Sequence, residues 1–125
     1  MPIDATLPYD PDNIFARILR DEIPSRRVYE DAWAIAFHDI APQAPTHILV
    51  VPRGPYVSWD DFSARASEEE IAGFVRAVGR VARDMGLVLP GYRLLANTGP
   101  HGGQEVAHLH VHLFAGQPLG PMLAR

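Results

Sequence analysis

The chain of 125 residues contains no cysteine. That excludes a disulfide framework, a thiolate zinc site, an iron–sulfur cluster and a cysteine nucleophile. It also fits a reducing compartment. Lysine is absent too, because all 11 basic residues are arginine. A P-loop lysine and a Schiff-base lysine are therefore excluded. No apolar run approaches the roughly 18 residues of a membrane-spanning helix. Met1 to Tyr9 lacks the basic and apolar regions of a signal peptide. Positive charge is scarce: the net charge is −4, so no global field favours nucleic acid. These absences lead to the expectation of a cytoplasmic protein with no nucleic-acid partner and no membrane partner.

What is present reads as one α+β domain with a mostly antiparallel five-stranded sheet, one short N-terminal helix and one long helix. Residues 1–11 read as a loose arm, 12–116 as the domain and 117–125 as a tail. Asp12 is placed as the cap of a helix from Asn13 to Arg20. Arg27 to Glu30 and Trp33 to His38 read as strands, with Trp33, Ile35 and Phe37 on one face. Thr46 to Val51 is an apolar, β-branched central strand. Ser67 and Glu70 form a capping box that opens the long helix. Its apolar stripe runs Ile71, Phe74, Val75, Val78, Val81, Ala82 and Met85, and Gly86 stops it. Tyr92 to Ala96 and Val106 to Phe114 supply the last two strands.

The chemistry concentrates in His108-Leu109-His110-Val111-His112-Leu113-Phe114. Strand alternation puts the three histidines on one face and Leu109, Val111 and Leu113 on the other. Three imidazoles on one face are costly to bury unpaired, so they line a cleft or bind something. His108 and His112 lie about 13 Å apart along an extended strand, too far to close on one metal ion at about 2 Å. A site of two histidines completed by Asp or His from elsewhere stays open. An anion suits the row better: outer rings donate to phosphate oxygens while the middle ring faces phosphorus. An ordinary imidazole pKa near 6.5 lets a neutral nucleophile sit beside protonated neighbours. Gly102-Gly103-Gln104 frees backbone N–H groups to approach the same anion.

These features resemble the histidine triad superfamily, in particular its nucleotide-binding Hint branch. The resemblance is carried by the alternating histidines, by Asn13-Ile14-Phe15-Ala16-Arg17-Ile18, by Phe37-His38-Asp39-Ile40-Ala41-Pro42-Gln43-Ala44-Pro45-Thr46-His47 and by Gly102-Gly103-Gln104. The tail Pro118-Leu119-Gly120-Pro121-Met122-Leu123 is similar to that of bacterial members. It implies a homodimeric hydrolase that binds purine nucleotides and cleaves the P–N bond of nucleoside 5′-phosphoramidates. His110 matches the nucleophile, forming a covalent nucleotidyl-histidine. His47 matches the upstream histidine that supports it, and His112 lies near the leaving group. His108, His112, Asn97, Gln104 and Glu105, the last through its backbone N–H, match phosphate contacts. Asp39 matches the ribose ligand. Ile14, Phe15, Ile18, Phe37, His38 and Ile40 match the purine pocket. No cofactor is implied. Asn13 and Ala16 stand where some members place zinc-binding cysteines, so that metal site is not expected. Glu105 stands where many eukaryotic relatives have a donating serine. Two alternatives share the same machinery: hydrolysis or transfer on dinucleoside polyphosphates or nucleotidyl sugars, and a nucleotide-sensing regulatory module.

Overall fold

A computed structural model describes residues 3–124. Met1 and Pro2 of the expected arm and Arg125 of the expected tail lie outside the described residues. Five strands, β1 (Arg27–Glu30), β2 (Ala34–His38), β3 (Thr46–Pro52), β4 (Arg93–Leu95) and β5 (Val111–Ala115), form one sheet in the order β1-β2-β3-β5-β4. Every neighbouring pair is antiparallel. The helices are α1 (Ile14–Leu19), α2 (Trp59–Arg65), α3 (Glu68–Asp84) and the single turn α4 (Gly99–Gly102).

Each face of the sheet has its own apolar layer. Ala34, Ala36, Ile48, Val50, Val111 and Leu113 pack with Phe74, Ala77, Val78, Val81 and Ala82 of α3. Ile35, Phe37, Leu49 and Val51 pack with Phe15 and Ile18 of α1. Full burial of each valine, leucine, isoleucine or phenylalanine among them contributes roughly 1.5–3 kcal/mol, so α3 anchors one face while α1 closes a smaller layer on the other. The capping box of Ser67 and Glu70 opens α3 as expected. Gly86 follows it with φ +71°, the left-handed conformation that ends helices.

Several boundaries differ from expectation. Asn13, not Asp12, caps α1, its side chain accepting from the N–H of Ala16 at 2.9 Å. Asp12 instead gives its own N–H to Asp10. Helices α2 and α4 were not anticipated. Val75 is exposed on α3, and Ala77 takes its place in the buried stripe. Trp33 precedes β2 and does not share the face of Ile35 and Phe37. Its indole lies against Gly73 of α3, where any Cβ would overlap the ring. The fourth strand is shorter than Tyr92 to Ala96 at both ends.

The largest correction concerns the last strand, which starts at Val111 rather than Val106. The ladder with β3 runs from Thr46↔Ala115 to Val50↔Val111. Before that, the chain leaves β3, and the N–H of Leu109 bonds the carbonyl of Tyr56 at 2.8 Å. His108 and His110 thus lie in an extended lead-in rather than in the strand. Leu109, Val111 and Leu113 nevertheless all face the α3 core.

Candidate functional site

Register places the histidines. Leu49 stands opposite His112, and His47 opposite Phe114, so His47 and His112 are diagonal neighbours on the α1 face. Nε2 of His47 lies 2.9 Å from Nδ1 of His112. The N–H of Gln43 donates to Nδ1 of His47 at 3.1 Å. With its Nδ1 accepting, neutral His47 carries its proton on Nε2 and donates it to His112. His112 in turn carries its own proton on Nε2.

The same accounting fixes the other two rings. Nδ1 of His110 bonds the carbonyl oxygen of His108 at 2.8 Å. A carbonyl only accepts, so the proton sits on Nδ1 and Nε2 keeps a bare lone pair. Nε2 of His108 likewise donates to the Pro52 carbonyl at 2.9 Å, and its Nδ1 accepts from the Tyr9 hydroxyl at 2.7 Å.

Burial lowers the pKa of all four rings and so favours their neutral forms. It pushes His108 and His112 down to about 4, with neighbouring histidines adding to the shift. His110 is lowered by burial, against the opposing pull of the His108 carbonyl and of Asp39. His47 is lowered by burial, partly offset by Asp39. The expectation of protonated neighbours beside a neutral nucleophile is therefore corrected. Removing the rings from water outweighs the acidic groups nearby.

His110 and His112 line a cleft of about 490 Å³. Phe15 meets His110 edge-on at 4.9 Å. Ile14, Phe15, Ile18, Phe37, His38 and Ile40 line the cleft, as do Asp39, Asn97 and Glu105. Ile40 is almost fully exposed and forms only a rim. Asp39 divides its carboxylate. Oδ1 accepts from the N–H of Ala41 at 2.8 Å, and Oδ2 stands 3.4 Å from Nε2 of His47.

Two expected phosphate contacts do not reach the cleft. His108 is fully enclosed and both its nitrogens are engaged. The Gln104 side chain is buried and braces the loop: its oxygen accepts from the N–H of Gly99, and its nitrogen donates to Val57 and Val106. Gly103 lines the cleft at φ +75°, a backbone conformation that glycine adopts freely. Sequence reasoning missed Ile23, Pro24, Ser25, Leu49 and Val106 in the cleft wall. Leu49 was recoverable, since it shares strand parity with His47. Tyr9 left no local signal.

A family model described as HIT domain matches residues 20–119. The chain belongs to the HIT family. An uncharacterized 13.2 kDa HIT-like protein of Azospirillum brasilense is 64% identical over 117 residues, covering 94% of this chain and 96% of the relative. A purine nucleoside phosphoramidase of Escherichia coli is 48% identical over 113 residues, 90% of this chain and 94% of that one. Among solved structures, a histidine triad protein from Clostridium difficile superposes with a TM-score of 0.82 at 40% identity, covering 91% and 98% of the two chains. The HIT fold of those neighbours is the one described above. Among the described residues, no helix of this HIT protein is long and apolar enough to cross a membrane.

Proposed function

We propose that this chain is a hydrolase of purine nucleoside 5′-phosphoramidates acting through a nucleotidyl-histidine at His110. The observation that carries the reading is the His110 ring. It is neutral, with its proton held on Nδ1 and a free Nε2 pair beside a cleft with an apolar wall and a carboxylate. The E. coli relative, a purine nucleoside phosphoramidase, supports the same substrate class.

In this reading Phe15, Ile18 and Phe37 sandwich the base, Ile14, His38 and Ile40 flank it, and Asp39 accepts from ribose hydroxyls. Asn97, the backbone N–H of Glu105 and Nε2–H of His112 donate to phosphate oxygens. The pair on Nε2 of His110 forms a bond to phosphorus as the P–N bond breaks. The leaving nitrogen takes the bonding pair of the broken P–N bond and a proton from water, and the hydroxide left behind is neutralised by the proton released in the second step. The modified ring becomes cationic, and its Nδ1–H bond to the His108 carbonyl strengthens as charge develops. Water then attacks phosphorus, the ring leaves neutral, and a nucleoside monophosphate and a proton depart. Two displacements replace one difficult step. Cytoplasmic residence is part of the same proposal.

The reading extends to a homodimer. Trp59, Val75 and Leu94 stay half-exposed around an apolar groove of about 640 Å³ between α3 and β4. β4 bonds only β5, leaving one strand edge open among the described residues. A second copy of the chain would cover both.

The test is an acid-quenched reaction with an adenosine phosphoramidate, followed by intact and peptide mass measurement. A nucleotidyl adduct on His110, lost together with turnover in His110→Ala, is expected. Undiminished turnover in His110→Ala refutes the mechanism. Parallel assay of a dinucleoside polyphosphate ranks the leaving groups.

A further inference from the structure

We propose that Tyr9, on the N-terminal arm, is a positioning residue for the nucleophile: its hydroxyl donates to the bare Nδ1 of His108 and so holds in place the residue whose carbonyl bonds Nδ1–H of His110. The arm is not the loose segment its composition suggests. The N–H of Ile3 bonds the Gln104 carbonyl at 2.9 Å, and Tyr9 reaches His108 across 99 positions of sequence. The arm is thus fastened at Ile3 and at Tyr9 to the stretch from Gln104 to His108.

The chain of dependence is short. Nε2 of His108 faces a carbonyl oxygen, so its proton resides there and Nδ1 is bare. A bare nitrogen enclosed without a donor is costly. His108 is completely buried, so water cannot supply that donor, and the Tyr9 hydroxyl does, at 2.7 Å. The Tyr9 ring also meets the imidazole edge-on, with centroids 5.5 Å apart. Burial raises the phenol pKa, so the hydroxyl keeps its proton and acts as donor. His108 therefore has one satisfied arrangement. Its own carbonyl, 2.8 Å from Nδ1 of His110, is fixed with it. That carbonyl decides which nitrogen of His110 is free. Without the Tyr9 hydroxyl, Nδ1 of His108 has no donor, and the ring gains a reason to tilt or to take a proton. Each of these disturbs the carbonyl that aims His110.

The kinetic part rests on the proposed nucleophilic role of His110; the tautomer part does not. The test is Tyr9→Phe, which keeps the ring and its packing and removes one O–H. Ring-nitrogen signals of His108 and His110 are recorded by 15N NMR beside the kinetics. In the wild type, Nδ1 of His108 should be unprotonated and hydrogen-bonded, and His110 should carry its proton on Nδ1. In Tyr9→Phe, Nδ1 of His108 should move toward the unbonded position and His110 toward mixed tautomers. kcat should fall about tenfold, with KM within about twofold. A variant whose His110 signals and kcat are unmoved overturns the proposal, even where the Nδ1 signal of His108 shifts and the melting temperature falls. A wild-type spectrum with Nδ1 of His108 protonated also overturns it, even if the variant fails to fold. If no nucleoside phosphoramidate is turned over, the nitrogen signals alone decide, and the substrate reading fails separately.

Discussion

His47 donates its Nε2–H to Nδ1 of His112 over 2.9 Å, and the Gln43 backbone holds His47 from behind. This pair, not the triad alone, sets which nitrogen of His112 faces the cleft. His47→Ala leaves Nδ1 of His112 without its donor and frees the ring to turn. A reorientation of this kind costs about a hundredfold in rate. Single-turnover measurement should show that loss in the chemical step, with nucleoside monophosphate affinity changed far less. An unchanged rate would mean that His112 is oriented by other contacts.

The rate should rise with pH along an acid limb centred below the ordinary imidazole value and then level off. His110 attacks only when neutral, and burial holds its pKa under the ordinary value of 6.5. The acid limb of kcat/KM should therefore have a midpoint under 6.5 and rise above it to a plateau. A midpoint above 6.5 would show that acidic neighbours outweigh burial.

Stability should follow a related course, for a different group. His108 is pushed from 6.5 down to about 4. The unfolded chain takes up this proton below pH 6.5, whereas the folded one refuses it until about pH 4. Stability from this group is thus fully present above 6.5, declines through the window and loses nothing further below 4. Over the whole window the loss from His108 is about 3 kcal/mol. Asp61 and Glu70 are held below ordinary carboxylate values by hydrogen bonds, so their contributions fade lower on the scale. Urea titrations at pH 7 and pH 4.5 should reveal the difference, and His108→Gln should reduce it, leaving the share of His112, which burial also holds at about 4.

The sheet was legible where alternation or helical period had a core to read against. Thr46 to Val51 and the Ser67–Glu70 start of α3 needed nothing else. Helix α2 was not legible, because Phe62 is the sole buried residue within it and one residue makes no stripe. The start of β5 was misplaced because an extended lead-in alternates like a strand. Only the partner differs: Leu109 bonds the Tyr56 loop. The site divides the same way. His47, His110 and His112 follow from strand parity and the family resemblance. His108 and Gln104 carry the right residue type, yet their polar atoms are engaged by Tyr9, Pro52, Gly99, Val57 and Val106. Those partners are distant in sequence or hidden in loops, so no local pattern announces them.

Gln104→Ala should act on stability before it acts on chemistry. The substitution strands the Gly99 N–H and the Val57 carbonyl in a buried place. Each unsatisfied buried group costs about 1–3 kcal/mol, so a loss of about 2–4 kcal/mol is expected in denaturant titration. A variant as stable as the parent, with only monophosphate affinity reduced, would return Gln104 to the phosphate.

Metal ions should inhibit rather than assist. Asp39, His47 and His112 bring ligand atoms within 4.8 Å of one another, a donor set that suits zinc. In the folded chain, however, Nε2 of His47 carries the proton that bonds His112. A cation entering there must displace that proton and break the bond that orients His112. Chelator treatment should therefore leave kcat unchanged. Added zinc should slow turnover, with a weaker effect in Asp39→Asn, which removes the only carboxylate of the cluster. Loss of turnover on chelation, restored by zinc, would instead make this cluster part of the catalytic machinery and require a different account of His112.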